Sequence, residues 1–162
     1  MARAFRQPYN EPTRPNKETA MLDQRILDTM MINVPAASMW RDNIRITEAQ
    51  EPGFITFETD VPAELGNYRN GIHGGTAYTI GEIGCGFAMY SFNTNNVCQS
   101  ANINFLKAVP CCTVVTKTEP IHKGRSTAVI RVSTYQKETG KLLFQSTHNM
   151  FLFGPVFEDV EQ

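Results

Sequence analysis

The chain has 162 residues, 41% of them hydrophobic, and a formal net charge of -1. That length suits one domain with a core of its own, and the near-neutral charge excludes a global field that would recruit nucleic acid. No apolar run approaches the length of a membrane span.

The opening stretch, MARAFRQPYNEPTRPNK, lacks the apolar run of a secretory signal. Its prolines predict a loose tail over residues 1–16, ahead of a single domain over residues 17–158. Asn16 is placed to cap a packing helix from Lys17 to Met31. Leu22, Ile26, Leu27, Met30 and Met31 share one face of it, and Asn33 and Pro35 stop it. Trp40 to Thr47 and Phe54 to Thr59 read as strands joined by a turn at Glu51-Pro52-Gly53. A polar loop with glycine follows from Ala63 to Ile72.

The central segment, Gly71 to Phe87, reads GIHGGTAYTIGEIGCGF. From Gly74 to Ser91 its one charged side chain is Glu82. Gly81, Gly84 and Gly86 each cost a helix about 1 kcal/mol against alanine. Eighteen residues nevertheless exceed an ordinary strand, so a helix is predicted, its glycines allowing close approach of a curved sheet. Asn93 to Asn96 is a polar stop. Four strands follow, over Val97–Leu106, Thr113–Ile121, Thr127–Tyr135 and Leu142–Phe153, with a hairpin turn at Lys137 to Gly140. The order predicts an α+β fold, an antiparallel sheet with one buried helix.

A helix beginning at Gly74 presents free N–H groups and a positive dipole end, unshielded by side chains at Gly74 and Gly75. Such an end can hold a carbonyl oxygen that is gaining charge; the plainer alternative is a tight turn. Glu82, set among apolar neighbours, predicts a carboxyl whose pKa is raised by desolvation, as a catalytic base requires. The plainer alternative there is a surface carboxylate or one meeting a distant arginine. Eight residues along a helix are about 12 Å, so one carbonyl can hardly touch both the Gly74 N–H and Glu82. Two antiparallel copies of the helix across a two-fold axis would bring one start beside the other's middle. A site using both features lies between two subunits.

The four cysteines, Cys85, Cys98, Cys111 and Cys112, form no C-x-x-C pair and have no histidine at ligand spacing, which argues against zinc. They indicate a reducing, cytoplasmic compartment. Cys85 has no base beside it in the sequence, and His148 reads as a structural residue of its strand. Tyr78, Phe87 and Tyr90 are candidates for an acyl pocket but read first as core.

Asn67, then Gly71-Ile72-His73-Gly74-Gly75, then Glu82 nine residues after the histidine, resembles the hotdog-fold acyl-CoA thioesterases, closest to the phenylacetic-acid-pathway type. NINFLKAVP (Asn102 to Pro110), HKGRSTAVIRV (His122 to Val132) and TGKLLFQSTHNMF (Thr139 to Phe151) resemble later strands of that family, so the resemblance spans roughly residues 44–154. It implies a hotdog fold, a sheet wrapped around one long helix, in dimers and often tetramers. It implies that the Gly74 N–H polarises a thioester carbonyl, assisted by Asn67 and Gly75. Glu82 of the partner chain would activate water or attack directly, and His73 would orient the site or meet the leaving thiol. Cys98 stands where the family often has Ser or Thr placing the water, and glutamate at position 82 where many members have aspartate. Lys123, Gly124 and Arg125 would meet coenzyme A phosphates. The implied ligand is an acyl-CoA or another acyl thioester, with no metal and no cofactor beyond the coenzyme A of the substrate. A hotdog dehydratase is disfavoured, because no second histidine follows Glu82 in the helix. A non-catalytic acyl-CoA binding or sensing module is the alternative from another class.

Overall fold

A computed structural model describes residues 22–35 and 38–160. The expected tail over residues 1–16, the Asn16 cap and the first helical residues from Lys17 lie outside the described residues. The first helix, α1, spans Gln24–Ile32 and is capped by Asp23, whose carboxylate accepts from the Arg25 N–H. Leu22 and Asp23 precede it, so the helix starts later than expected because Asp23 supplies the side-chain acceptor that a free first turn needs. Ile26 and Met30 are buried, and Leu22, Leu27 and Met31 pack on the same cluster. The chain then turns at Asn33, as its sequence indicates.

A short helix α2, Ser38–Arg41, replaces the start of the strand expected from Trp40. Buried Trp40 anchors it in the main core, so tertiary burial overrides the strand preference of an aromatic residue. Strand β1 begins only at Ile44 and runs to Glu51, and β2 spans Phe54–Asp60. Gly53 at the turn between them has φ +87°, a backbone region that suits glycine. The long helix α3 spans Gly74–Ser91. Strands β3 (Thr94–Phe105), β4 (Thr113–Lys123), β5 (Thr127–Gln136) and β6 (Leu142–Pro155) follow. The expected polar stop at Asn93–Asn96 is shorter: Asn93 takes a left-handed turn with φ 50°, and Thr94 already belongs to β3. Asn93 is held there by its side chain, which accepts from the Phe157 N–H and donates to the Phe157 and Val160 carbonyls.

The six strands form one antiparallel sheet in the order β1-β2-β4-β5-β6-β3, and α3 packs on β2 to β6 while α1 packs on α3. This is the hotdog arrangement, a sheet wrapped around one long helix. Among the described residues β3 pairs only with β6 and so presents an edge. Two glycines explain how the helix seats. A Cβ added at Gly81 would stand 2.7 Å from Ser146 Oγ, and one at Gly84 would stand 3.0 Å from Val132 Cγ1. Gly86 does not serve that purpose, since the nearest atom to a Cβ there is 3.9 Å away. Beneath the helix Phe57 and Phe87 meet edge to face with ring centroids 5.2 Å apart.

Candidate active site

The start of α3 is built by the loop before it. Asn67 Oδ1 accepts from the N–H groups of Arg69 and Gly71, and its own N–H donates to the Gly71 carbonyl at 2.7 Å. A side-chain amide thus closes the loop, as asparagine does at turns. Its Nδ2 makes no hydrogen bond among the described residues. His73 is the N-cap of α3, and its Nδ1 accepts from the Gly75 N–H at 2.9 Å. That bond has two consequences. The Gly75 amide is occupied and does not point to a ligand, contrary to the expectation of two free glycine amides. In the neutral imidazole the proton then stands on Nε2. The Gly74 amide makes no hydrogen bond among the described residues. Gly74 lines a largely apolar cleft of about 340 Å³ with Ile72, Ala77, Phe105, Lys107 and Phe144. A Cβ at Gly74 would rest 3.5 Å from the Phe105 ring.

Glu82 lies two turns on, in the same continuous helix. It is not buried in the single chain, as its apolar neighbours in sequence suggested. It sits with Tyr78 and Gly86 on the face of α3 that the sheet leaves open. The reason is periodicity: Ala77, Ile80, Ile83, Gly84 and Phe87 turn inward, and position 82 falls opposite them. Even so, Glu82 lines a polar cleft of about 250 Å³ with Asn33, Phe87, Tyr90, Asn96, Val97 and Cys98. Desolvation there raises its pKa above the usual carboxylate value. Among the described residues no cation pairs with it and no donor bonds its carboxylate.

The acyl-pocket candidates divide. Phe87 is core, Tyr90 lines the Glu82 cleft, and Tyr78 is 39% exposed rather than core. Cys98 lines the same cleft, at a shift of register between Cys98 and Ser100 where β3 bulges against β6. Bulges re-aim side chains in this way. The neighbouring Cys85 thiol is the first cause that lowers the Cys98 pKa, to about 7, while the Cys85 Sγ–H donates to the Glu82 carbonyl at 3.0 Å. Buried Cys85 is correspondingly pushed up. His148 is fully buried, and burial lowers it to about 4. Its Nδ1 stands 3.8 Å from Cys98 Sγ and its Nε2 2.8 Å from Ser146 Oγ. The His148 ring, supplied from β6, thus stands beside Cys98 and within 4.8 Å of the Cys85 thiol, a neighbour that spacing in the sequence did not show.

The other candidates lie apart. Lys123 closes β4, with its ammonium over the Phe92 ring at 5.0 Å, and Phe92 caps the C-terminal end of α3. The Gly124 N–H donates to the Thr127 carbonyl, and Arg125 is exposed. Within one chain this basic turn is at the opposite end of α3 from Gly74. A single chain therefore carries a donor half-site at Gly74, Asn67 and His73, a carboxylate half-site at Glu82 and Cys98, and a cationic turn beyond. Two residues went unassigned in the sequence, Phe105 and Lys107 beside Gly74. Their signal was available: Lys107 is the one cation in the run from Asn102 to Pro110.

The sequence model of the thioesterase superfamily matches residues 70–143. No curated protein sequence matches the chain. A hypothetical thioesterase from Streptococcus pneumoniae, solved with coenzyme A, is 29% identical over 70% of this chain and 88% of its own, with a TM-score of 0.66. That protein has also been solved with an aspartate and, separately, a threonine changed to alanine, at two positions sixteen apart, the separation of Glu82 and Cys98 here. A Streptococcus mutans protein bound to acetyl CoA is 25% identical over 70% of this chain and 90% of its own, with a TM-score of 0.66. The Escherichia coli PaaI protein of the phenylacetic acid degradation operon is 19% identical over 82% of this chain and 94% of its own, with a TM-score of 0.72.

Proposed function

We propose that this chain, with its hotdog fold and its match to the thioesterase superfamily over residues 70–143, is an acyl-CoA thioesterase whose site is completed by a second copy of itself. The observation that carries the reading is the placement of two half-sites on one straight helix. The free Gly74 amide and the unpaired Glu82 are about 12 Å apart along α3. No single carbonyl bridges that distance, whereas an antiparallel partner helix would set Glu82 of one subunit beside Gly74 of the other. The edge of β3 and the open face of α3 are the surfaces available for such pairing.

In that arrangement the Gly74 N–H and Asn67 Nδ2 donate to the thioester carbonyl oxygen as it gains charge. Glu82 takes a proton from water, or attacks the carbonyl carbon itself, and the coenzyme A thiolate leaves. The Nε2–H of His73 is the donor placed to meet that thiolate. Cys98 stands beside Glu82 where a threonine would help place water, a role in which a thiol is the weaker hydrogen-bond partner. The coenzyme A phosphates pair with Lys123 and Arg125 at the turn of Gly124, which the same antiparallel pairing would bring from the far end of one helix toward the start of the other. Lys107 adds a cation at the mouth of the Gly74 cleft. Four free thiols fit a reducing, cytoplasmic setting.

The test is release of free thiol from short aliphatic, long aliphatic and aromatic acyl-CoA, with wild type beside Glu82→Gln and Asn67→Ala. Turnover by the wild type alone supports the reading. Mixing the two variants and allowing subunits to exchange should restore about a quarter of wild-type activity, because half the pairs are mixed and each mixed pair rebuilds one site. No restoration would show that each chain carries its own complete site. Tight acyl-CoA binding without turnover by wild type would make the protein a binding module.

A further inference from the structure

Two residues are left over by this chemistry, Cys85 and His148, and both lie beside Cys98 at the edge of the Glu82 cleft. The three come from α3, β3 and β6, and their Sγ and imidazole nitrogen atoms all lie within 4.8 Å of one another. Nothing in thioester hydrolysis calls for a second, buried thiol or for a buried imidazole. We propose that these three residues form a zinc site, with a fourth position left to a water from the cleft that Cys98 lines.

The geometry is close to that of the bound state. Zn–S bonds of about 2.3 Å and Zn–N bonds of about 2.0 Å in a tetrahedron place ligand atoms about 3.5 to 3.8 Å apart. Cys98 Sγ and His148 Nδ1 are already at 3.8 Å, and the widest separation needs to close by only about 1 Å. His148 is oriented as a ligand is. Its Nε2 lies 2.8 Å from Ser146 Oγ, so the tautomer protonated at Nε2 donates there and leaves the Nδ1 lone pair toward Cys98 Sγ, 3.8 Å away. A hydrogen bond of that kind, on the nitrogen away from the metal, fixes the tautomer and the ring plane. Three regular elements hold the set, and Cys85 and His148 are fully buried.

Charge also favours a divalent ion here. Each thiol gives up its proton on binding, so one Zn²⁺ replaces two H⁺ and the ion with two thiolates and a neutral imidazole carries no net charge. A neutral cluster suits a buried position where an isolated ion would not. The two sulfurs and one nitrogen match a borderline-soft metal rather than magnesium or calcium, which take oxygen. Sequence spacing conceals the set, because its members lie far apart along the chain and fit no short zinc motif.

The experiment is titration of Zn²⁺ into chelator-treated, reduced full-length protein against a chromogenic chelator, with proton release recorded. Co²⁺ is then used as a spectroscopic substitute. One equivalent of Zn²⁺ per chain with release of up to two protons is expected, together with intense visible bands of tetrahedral Co²⁺ and thiolate charge-transfer absorption. Cys98→Ser should weaken Zn²⁺ binding at least tenfold. Cys98 is only partly buried at an edge strand, so this variant is expected to fold, as circular dichroism would show. His148→Asn should shift the Co²⁺ spectrum further, and Cys112→Ser should change nothing. Absence of stoichiometric binding, six-coordinate Co²⁺ bands, or affinity unchanged in a folded Cys98→Ser variant would each overturn the proposal. None of these readouts depends on hydrolysis, so the site stands or falls apart from the thioesterase reading.

Discussion

The two faces of α3 differ in what they ask of the same residue types. On the inner face glycine is a packing device: Gly81 and Gly84 let Ser146 and Val132 come within contact of the helix backbone. On the outer face a Cβ at Gly86 would meet only the Tyr90 ring, at 3.9 Å, and among the described residues Glu82 stands without a partner. The inner face is optimised for stability, and the outer face carries polar groups that stability alone would not choose. Unpartnered groups on an otherwise well-packed helix mark the face where chemistry or a second subunit belongs.

The largest expected effect tests the outer face. Glu82→Gln should reduce thioester hydrolysis about 100-fold or more, the usual loss for an acid–base group, with circular dichroism unchanged. Retained turnover would remove the carboxylate from the mechanism. Next comes the inner face. Gly81→Ala should destabilise the fold by about 1 to 3 kcal/mol in a urea titration, because its methyl would overlap Ser146 Oγ. Gly86→Ala should do the opposite, gaining up to about 1 kcal/mol from helix propensity, since its methyl would make only an ordinary contact with the Tyr90 ring. Equal effects at the two glycines would erase the distinction between the faces.

The smallest effect is a pH dependence. Burial raises the folded pKa of Glu82 above its ordinary 4.5, so between those values the unfolded chain binds fewer protons than the folded one. Stability contributed by this residue is therefore full below pH 4.5 and falls as pH rises through the raised value. Thermal melts should show Glu82→Gln slightly more stable than wild type at neutral pH, with the gap closing in acid. The gap is small because Glu82 opens to solvent.

Much of this was written in local pattern. The length of the run, with its polar stop, gave α3 its ends at Gly74 and Ser91, and β-branched runs with a Gly-ended turn gave β4, β5 and β6 within a few residues. The order of Asn67, His73, Gly74 and Glu82 pointed to the family that the thioesterase-superfamily match at residues 70–143 supports. The misreadings share a cause. Trp40 was placed in a strand and Tyr78 in the core because propensity and hydrophobicity do not say which neighbour an element will meet. The Gly75 amide read as free because only the folded loop brings His73 Nδ1 within reach of it.

Sequence alone thus determined the elements, the helix start and the lone carboxylate, since these depend on residues within a few turns of one another. The tertiary structure decided the rest: that Glu82 faces outward, that the basic turn lies at the opposite end of α3, and that Cys85, Cys98 and His148 converge. Each depends on contacts between residues far apart in the chain, and such contacts are set by how sheet and helix close on a common core rather than by spacing.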